Sequence, residues 1–210
     1  MCDNVKTVTW FGAIGDGSTD STSAFQKAID CLSEDGGVVY VPGGVYNLSA
    51  PLQMKSYVVV QGEGAQTILK ASQTSGWNES YRAMVELVGT TGAEVRDLVL
   101  DQHGSGRNPL MHGISYTMLI NDASDCTIDN VFFRDAGYDS GNSSGNPSGP
   151  VLLLSAKDSD NTSTGTGGGV GGCRNIRITR CTFVQNGTAG VGFCIRLHSD
   201  WLDMKPQFVH

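Results

Sequence analysis

Apolar residues in this chain fall in short runs, and the first run obeys a different period from those that follow. Within STSAFQKAIDCLS, Ala24, Phe25, Ala28, Ile29 and Leu32 recur at three- and four-residue intervals and so share one stripe of a helix. Asp20 or Thr19 is the expected N-cap, and Asp35-Gly36-Gly37 the stop. After this the period changes. VVYVPGGVYNL, YVVVQGEG, TILKA, MVELVG and VRDLVLD are apolar runs of about four to six residues divided by glycine, serine or charge, which reads as successive strands. No second amphipathic helix intervenes, so parallel strands must be joined by short turns in place of helical crossovers. A coiled β-solenoid permits this.

An internal repeat supports the solenoid. Val95-Arg96-Asp97-Leu98-Val99-Leu100, Ile128-Asp129-Asn130-Val131-Phe132-Phe133 and Ile178-Thr179-Arg180-Cys181-Thr182-Phe183 align without gaps as apolar, two polar, apolar, any, apolar. The polar pair predicts a bend, and the alternation after it points the outer two of the last three positions inward. The starts lie 33 and 50 residues apart, so each interval holds an extra coil or a long loop. Residues 139–149 and 158–172, rich in Gly, Ser and Asn, are suitable loop material. At least four coils are expected between Val38 and Leu197, with Leu98, Leu100, Ile128, Val131, Phe133, Ile178, Cys181 and Phe183 inside. Residues 1–37 then form a cap carrying the helix, and residues 38–210 form coils with inserted loops. The terminal WLDMKPQFVH supplies no amphipathic cap, so the last coil is expected to continue into, or pack against, further protein.

The stretch TWFGAIGDGSTDSTSAFQKAIDCLSEDGGVVYVPGGVYNLSAPLQMKSYVVVQGEGAQTIL resembles the opening of pectate-lyase-superfamily parallel β-helices, a group that includes polygalacturonase-like enzymes and phage tailspikes. The resemblance covers about the first 70 residues closely and reaches about residue 195 through the repeats. It implies an all-β, single-stranded right-handed parallel β-helix with an N-terminal capping α-helix. For activity it implies only a range, since the group holds lyases, hydrolases, epimerases and non-catalytic fibres. Its tailspike members imply a parallel homotrimer.

Composition agrees with many tight turns: 28 glycines, 39% apolar and 17% charged residues. A formal net charge of -7 gives no global reason to bind nucleic acid or an anionic membrane surface, and no run of about 18 apolar residues is present to insert in a membrane. The start has neither a basic nor an apolar segment of a secretion signal. Six cysteines show no metal-ligand spacing, and Cys126, Cys181 and Cys194 read as small buried hydrophobes. Two patterns mislead. QGEGAQT opens like a dinucleotide fingerprint but has Thr67 at the sixth position and no helix after it, and Gly141-Asn142-Ser143-Ser144-Gly145 lacks the strand and helix that a nucleophile elbow needs.

Chemistry belongs on the outside of the stack or in loops that leave it. Setting Leu100, Phe133 and Phe183 level puts Asp101 beside Arg134, and Gln102 beside Asp135. With coils about 4.8 Å apart and no extra coil between, Asp101 and Asp135 come within about 5 to 9 Å, a range used by paired carboxylates in glycoside cleavage. An exposed Asp101–Arg134 pair worth less than about 1 kcal/mol is the structural alternative. The loop leaving Asp101 adds His103, Arg107 and His112, groups able to hold and protonate an acidic sugar. Candidate catalytic residues are therefore Asp101, Asp135, His103 and His112, and candidate substrate-binding residues Arg107, Arg134, Tyr138 and Trp77, the aromatic pair as stacking faces for sugar rings. No cofactor is expected; a lyase would neutralise the uronate with Arg107 or with Ca²⁺.

The leading expectation is a phage tailspike or tail-fibre β-helix in the virion tail, beside other virion tail proteins, that binds and cleaves a bacterial surface polysaccharide as a lyase or glycoside hydrolase. A secreted bacterial lyase or hydrolase and a non-catalytic structural β-helix are the alternatives.

Overall fold

A computed structural model describes residues 4–72, 82–103, 114–135, 149–154, 173–184 and 195–198. The strands wind into three faces, and every pairing among them is parallel. The first face stacks β1 (Val5–Thr7), β3 (Gly37–Tyr40), β6 (Val58–Gln61), the first halves of β9 (Glu94–Asp101) and β11 (Thr127–Arg134), and β13 (Arg177–Thr179). The second stacks β2 (Asp16–Asp20), β4 (Gly44–Leu48), β7 (Thr67–Ala71), the second halves of β9 and β11, and β14 (Thr182–Val184). The third is a five-stranded sheet of β5 (Leu52–Gln53), β8 (Arg82–Val88), β10 (Ile114–Asn121), β12 (Gly149–Leu154) and β15 (Ile195–His198). Because β11 pairs directly with β9, β13 and β14, the intervals of the repeat hold inserted segments and no extra coil.

The bend inside each repeat is a single residue in the left-handed region: Asp97 (φ 55°), Asn130 (φ 52°) and Arg180 (φ 52°). Asn and Asp tolerate that conformation better than most residues, and Asn130 Nδ2 also donates to Asp97 Oδ1 of the coil below at 2.7 Å. A second column of such corners joins the third face to the first: Tyr57, Gly92, Asp125 and Asn175, with Asn175 Nδ2 donating to Asp125 Oδ1 at 2.7 Å. The repeat thus encodes a polygon, with apolar sides and polar left-handed vertices.

The bore is filled as the alternation predicts. Leu98, Leu100, Ile128, Val131 and Phe133 are buried, and Ile178, Cys181 and Phe183 of the last described coil are partly buried against the same core. Phe183 stacks on Phe133 with ring centres 4.9 Å apart and planes 11° from parallel. Cys126 is fully buried and Cys181 half-buried, both free, while Cys194 lies outside the described residues.

Helix α1 (Thr22–Cys31) takes the place of a third-face strand beneath β5. Ala24, Phe25, Ala28 and Ile29 face the bore, where Phe25 meets Tyr46 edge-on at 5.3 Å. Its outer contact is polar: Gln26 accepts from Gln53 N–H at 2.9 Å and donates to Gln53 C=O at 3.1 Å. One carboxamide thereby imitates the backbone of a neighbouring strand and satisfies the edge of β5. The N-terminus differs from expectation. Ser21 stands at the cap position but its hydroxyl is taken by Ile14, Thr19 is itself bound to Asp16, and the Asp20 carboxylate accepts from Thr22 N–H at 3.0 Å.

The phrases VYVPGG and QGEGAQT form one interlocked corner. A Cβ on Gly62 would lie 2.4 Å from the Asp97 carbonyl, so only glycine fits there. Glu63 accepts from Gly43 N–H at 3.0 Å and from the Tyr40 hydroxyl, and the Thr67 hydroxyl bridges Glu63 N–H (2.9 Å) to the Val41 carbonyl (3.1 Å).

Candidate functional site

Asp101 ends β9 and Arg134 ends β11, and the register sets them opposite each other with Lys70 below in the same column. Their side chains alternate outward because Leu100 and Phe133, one residue earlier, are inside. Arg134 donates from Nε at 3.1 Å and from Nη2 at 2.6 Å, both to Oδ2 of Asp101. The other carboxylate oxygen, Oδ1, accepts the His103 backbone N–H at 2.9 Å, which helps hold His103 at φ 55°. The Asp101 side chain is only 9% exposed and that of Arg134 37%, so the pair has a dry end and a wet end. The arrangement fixes the direction of the guanidinium, and through the corner it fixes His103.

Asp135 is also buried, at 7% exposure. It is level with Gln102, and Gln102 continues the buried column of Leu48 and Ala71. Asp101 and Asp135 therefore stand on adjacent coils, one residue out of step, with Asp135 just past the end of β11 in the left-handed region at φ 52°. Gln102 is fully buried and accepts the Thr117 hydroxyl at 3.2 Å, which makes this corner polar on its inner side too. His112, Arg107, Tyr138 and Trp77 lie outside the described residues. Among the described residues no three His, Cys, Asp or Glu side chains converge as a metal site.

A second feature of the same surface escapes a reading of the repeat that treats its fifth position as free. That position carries Val45, Ile68, Val99 and Phe132 on successive coils of the second face, level with one another and outside the core cluster. Val99 is buried and Phe132 partly exposed. The signal was the Phe132-Phe133 doublet: in a strand, consecutive aromatics must face opposite ways, so one ring had to be outside.

A second ion pair joins β11 to the corner between β13 and β14. Arg180 donates from Nε to Asp129 Oδ1 at 2.9 Å and from Nη2 to Oδ2, and Thr179 adds a bond at 2.8 Å. The Arg180 bonds, followed by that from Thr179, bring the Asp129 carboxyl down to about 2.

Comparison with known proteins extends the picture. Over 110 residues, 47% of this chain, it is 37% identical to the mannuronan C5-epimerase AlgE3 of Azotobacter vinelandii, covering 6% of that protein. Over 154 residues, 65% of the chain, it is 32% identical to the preneck appendage protein of Bacillus phage PZA, covering 17% of it. A solved galactohydrolase, acting by its name on 1,3-α-1,4-β-linked galactose-4-sulfate and 3,6-anhydrogalactose-2-sulfate, superposes with a TM-score of 0.67 at 20% identity, over 95% of this chain and 43% of that one. The chain thus spans only a part of each. The model of one family, rhamnogalacturonase A/epimerase, pectate lyase-like, matches residues 4–201, and the chain belongs to that family.

Proposed function

We propose that the chain is part of a virion-associated β-helix that binds a bacterial surface polysaccharide on the outer side of its second face. The observation that carries this reading is the Asp101–Arg134 pair, buried at its carboxylate and open at its guanidinium, beside a part-exposed aromatic ring: polar and apolar recognition groups on one sheet. Similarity to a phage appendage protein supports the location, and similarity to a mannuronan epimerase supports a glycan as ligand. Cleavage is the finer part of the proposal. In it Asp135 or His103 moves the proton, Asp101 orients Arg134, and His112 and Arg107 join from the loop that leaves Asp101; Tyr138 and Trp77 contribute stacking faces.

The test uses the full-length protein and purified polysaccharide from the host surface. Asp101→Asn and Asp135→Asn, made singly, are measured for binding, for release of reducing ends or unsaturated uronate, and for thermal stability. Activity lost with stability retained supports cleavage at this corner. Binding retained with no release by the wild type returns the protein to a non-catalytic receptor, and stability lost in both variants returns the residues to the framework. The full-length protein is further proposed to be a homotrimer about the solenoid axis, and a monodisperse monomer in light scattering contradicts that.

A further inference from the structure

We infer that the outer side of the second face, centred on Phe132, is a subsite for an uncharged sugar ring; this rests on the glycan-binding reading above and names the chemistry of its ligand. Phe132 lies on the outside of β11, partly exposed, with the apolar Val99 below it. Two residues along the strand in one direction is Arg134, clamped by the nine-tenths buried carboxylate of Asp101. Two residues in the other direction is Asn130, whose amide nitrogen is tied to Asp97. An apolar platform is thus rimmed on both sides by hydrogen-bonding groups already held in place. A pyranose presents the matching surface, with C–H bonds on its faces and hydroxyls around its edge.

Charge decides between classes of sugar. Around the platform the described cations are Lys70, Arg134 and Arg180 and the described carboxylates are Asp97, Asp101, Asp129 and Asp135, three against four, with Arg180 held by Asp129. Arg134 spends two donors on its own carboxylate. A uronate would bring a further anion to a rim where carboxylates outnumber cations and both arginines are already paired, whereas a neutral hexose brings donors and acceptors only.

The test is binding of the full-length protein to immobilised neutral and acidic bacterial polysaccharides, with Phe132→Leu, Phe132→Met and Phe132→Tyr compared at matched melting temperature. Leu and Met keep an apolar side chain in the strand, and Tyr keeps the ring. The expected result is binding to neutral glycans, weakened by about tenfold in the Leu and Met variants and retained in Tyr. Equal binding by all four proteins, or losses that follow melting temperature, overturns the subsite. Binding by the wild type to acidic glycans alone overturns the choice of ligand and leaves the glycan-binding reading standing. Binding to none overturns that reading itself.

Discussion

Single residues settle this fold at its corners. Gly62 has the Asp97 carbonyl where a side chain would begin, so Gly62→Ala must push β6 and β9 apart. The expected loss is about 1 to 3 kcal/mol, read from chemical denaturation, and an unchanged midpoint would show that the corner yields. Asp129 makes a pH-dependent contribution. Its folded carboxyl titrates near 2, below the ordinary value of 3.8, so the stabilisation is fully present above about pH 4 and is lost as pH falls through 2. Hydrogen exchange in β13 and β14 should accelerate between pH 4 and 2 beyond the intrinsic change, and Asp129→Asn should remove that extra step. The corners were legible only in part. The polar pair in each repeat marked a bend, but nothing in sequence says that Arg180 adopts the left-handed form beside Asp97 and Asn130. Its ion pair with Asp129 supplies a reason that becomes visible only when coils are stacked.

Elements follow from periodicity more directly than their ends do. The helix stripe of Ala24, Phe25, Ala28 and Ile29 predicted both the helix and its buried face, and the change to short apolar runs predicted the strands. The start was less legible, because Ser21 is taken by Ile14 and Thr19 by Asp16 of its own turn, and Asp20 is left to meet Thr22. Gln26 was also invisible as a strand mimic, since its partner Gln53 lies 27 residues on. Removing that carboxamide strands one donor and one acceptor of β5. Gln26→Ala should therefore cost about 1 to 3 kcal/mol, while an exposed polar position on the same helix such as Lys27→Ala should change stability by less than about 0.5 kcal/mol. Equal effects in thermal melts would mean that the edge of β5 is satisfied by water.

At the scale of the molecule, the solenoid turns a one-dimensional repeat into columns, and function is a property of a column. Once Leu100 and Phe133 are level, the Asp101–Arg134 pair follows from the register without further assumption, which is why it could be read from sequence. The outer ring of Phe132 could have been read in the same way from the doublet. Other candidates could not be placed by register, because Trp77, Arg107, His112 and Tyr138 lie outside the repeated segments of the sequence. The relation of Asp135 to Asp101 was less legible, because β11 ends at Arg134 and Asp135 takes a left-handed conformation that the repeat does not announce. Family membership establishes the class of architecture, and the proposed glycan site rests on the chain's own columns. The most direct measurement is a crystal structure of the full-length protein with an oligosaccharide that it binds. The account predicts a sugar ring against the outer second face, over Phe132 and within hydrogen-bonding reach of Arg134; a glycan held on the third face, or at either end of the solenoid, would contradict it.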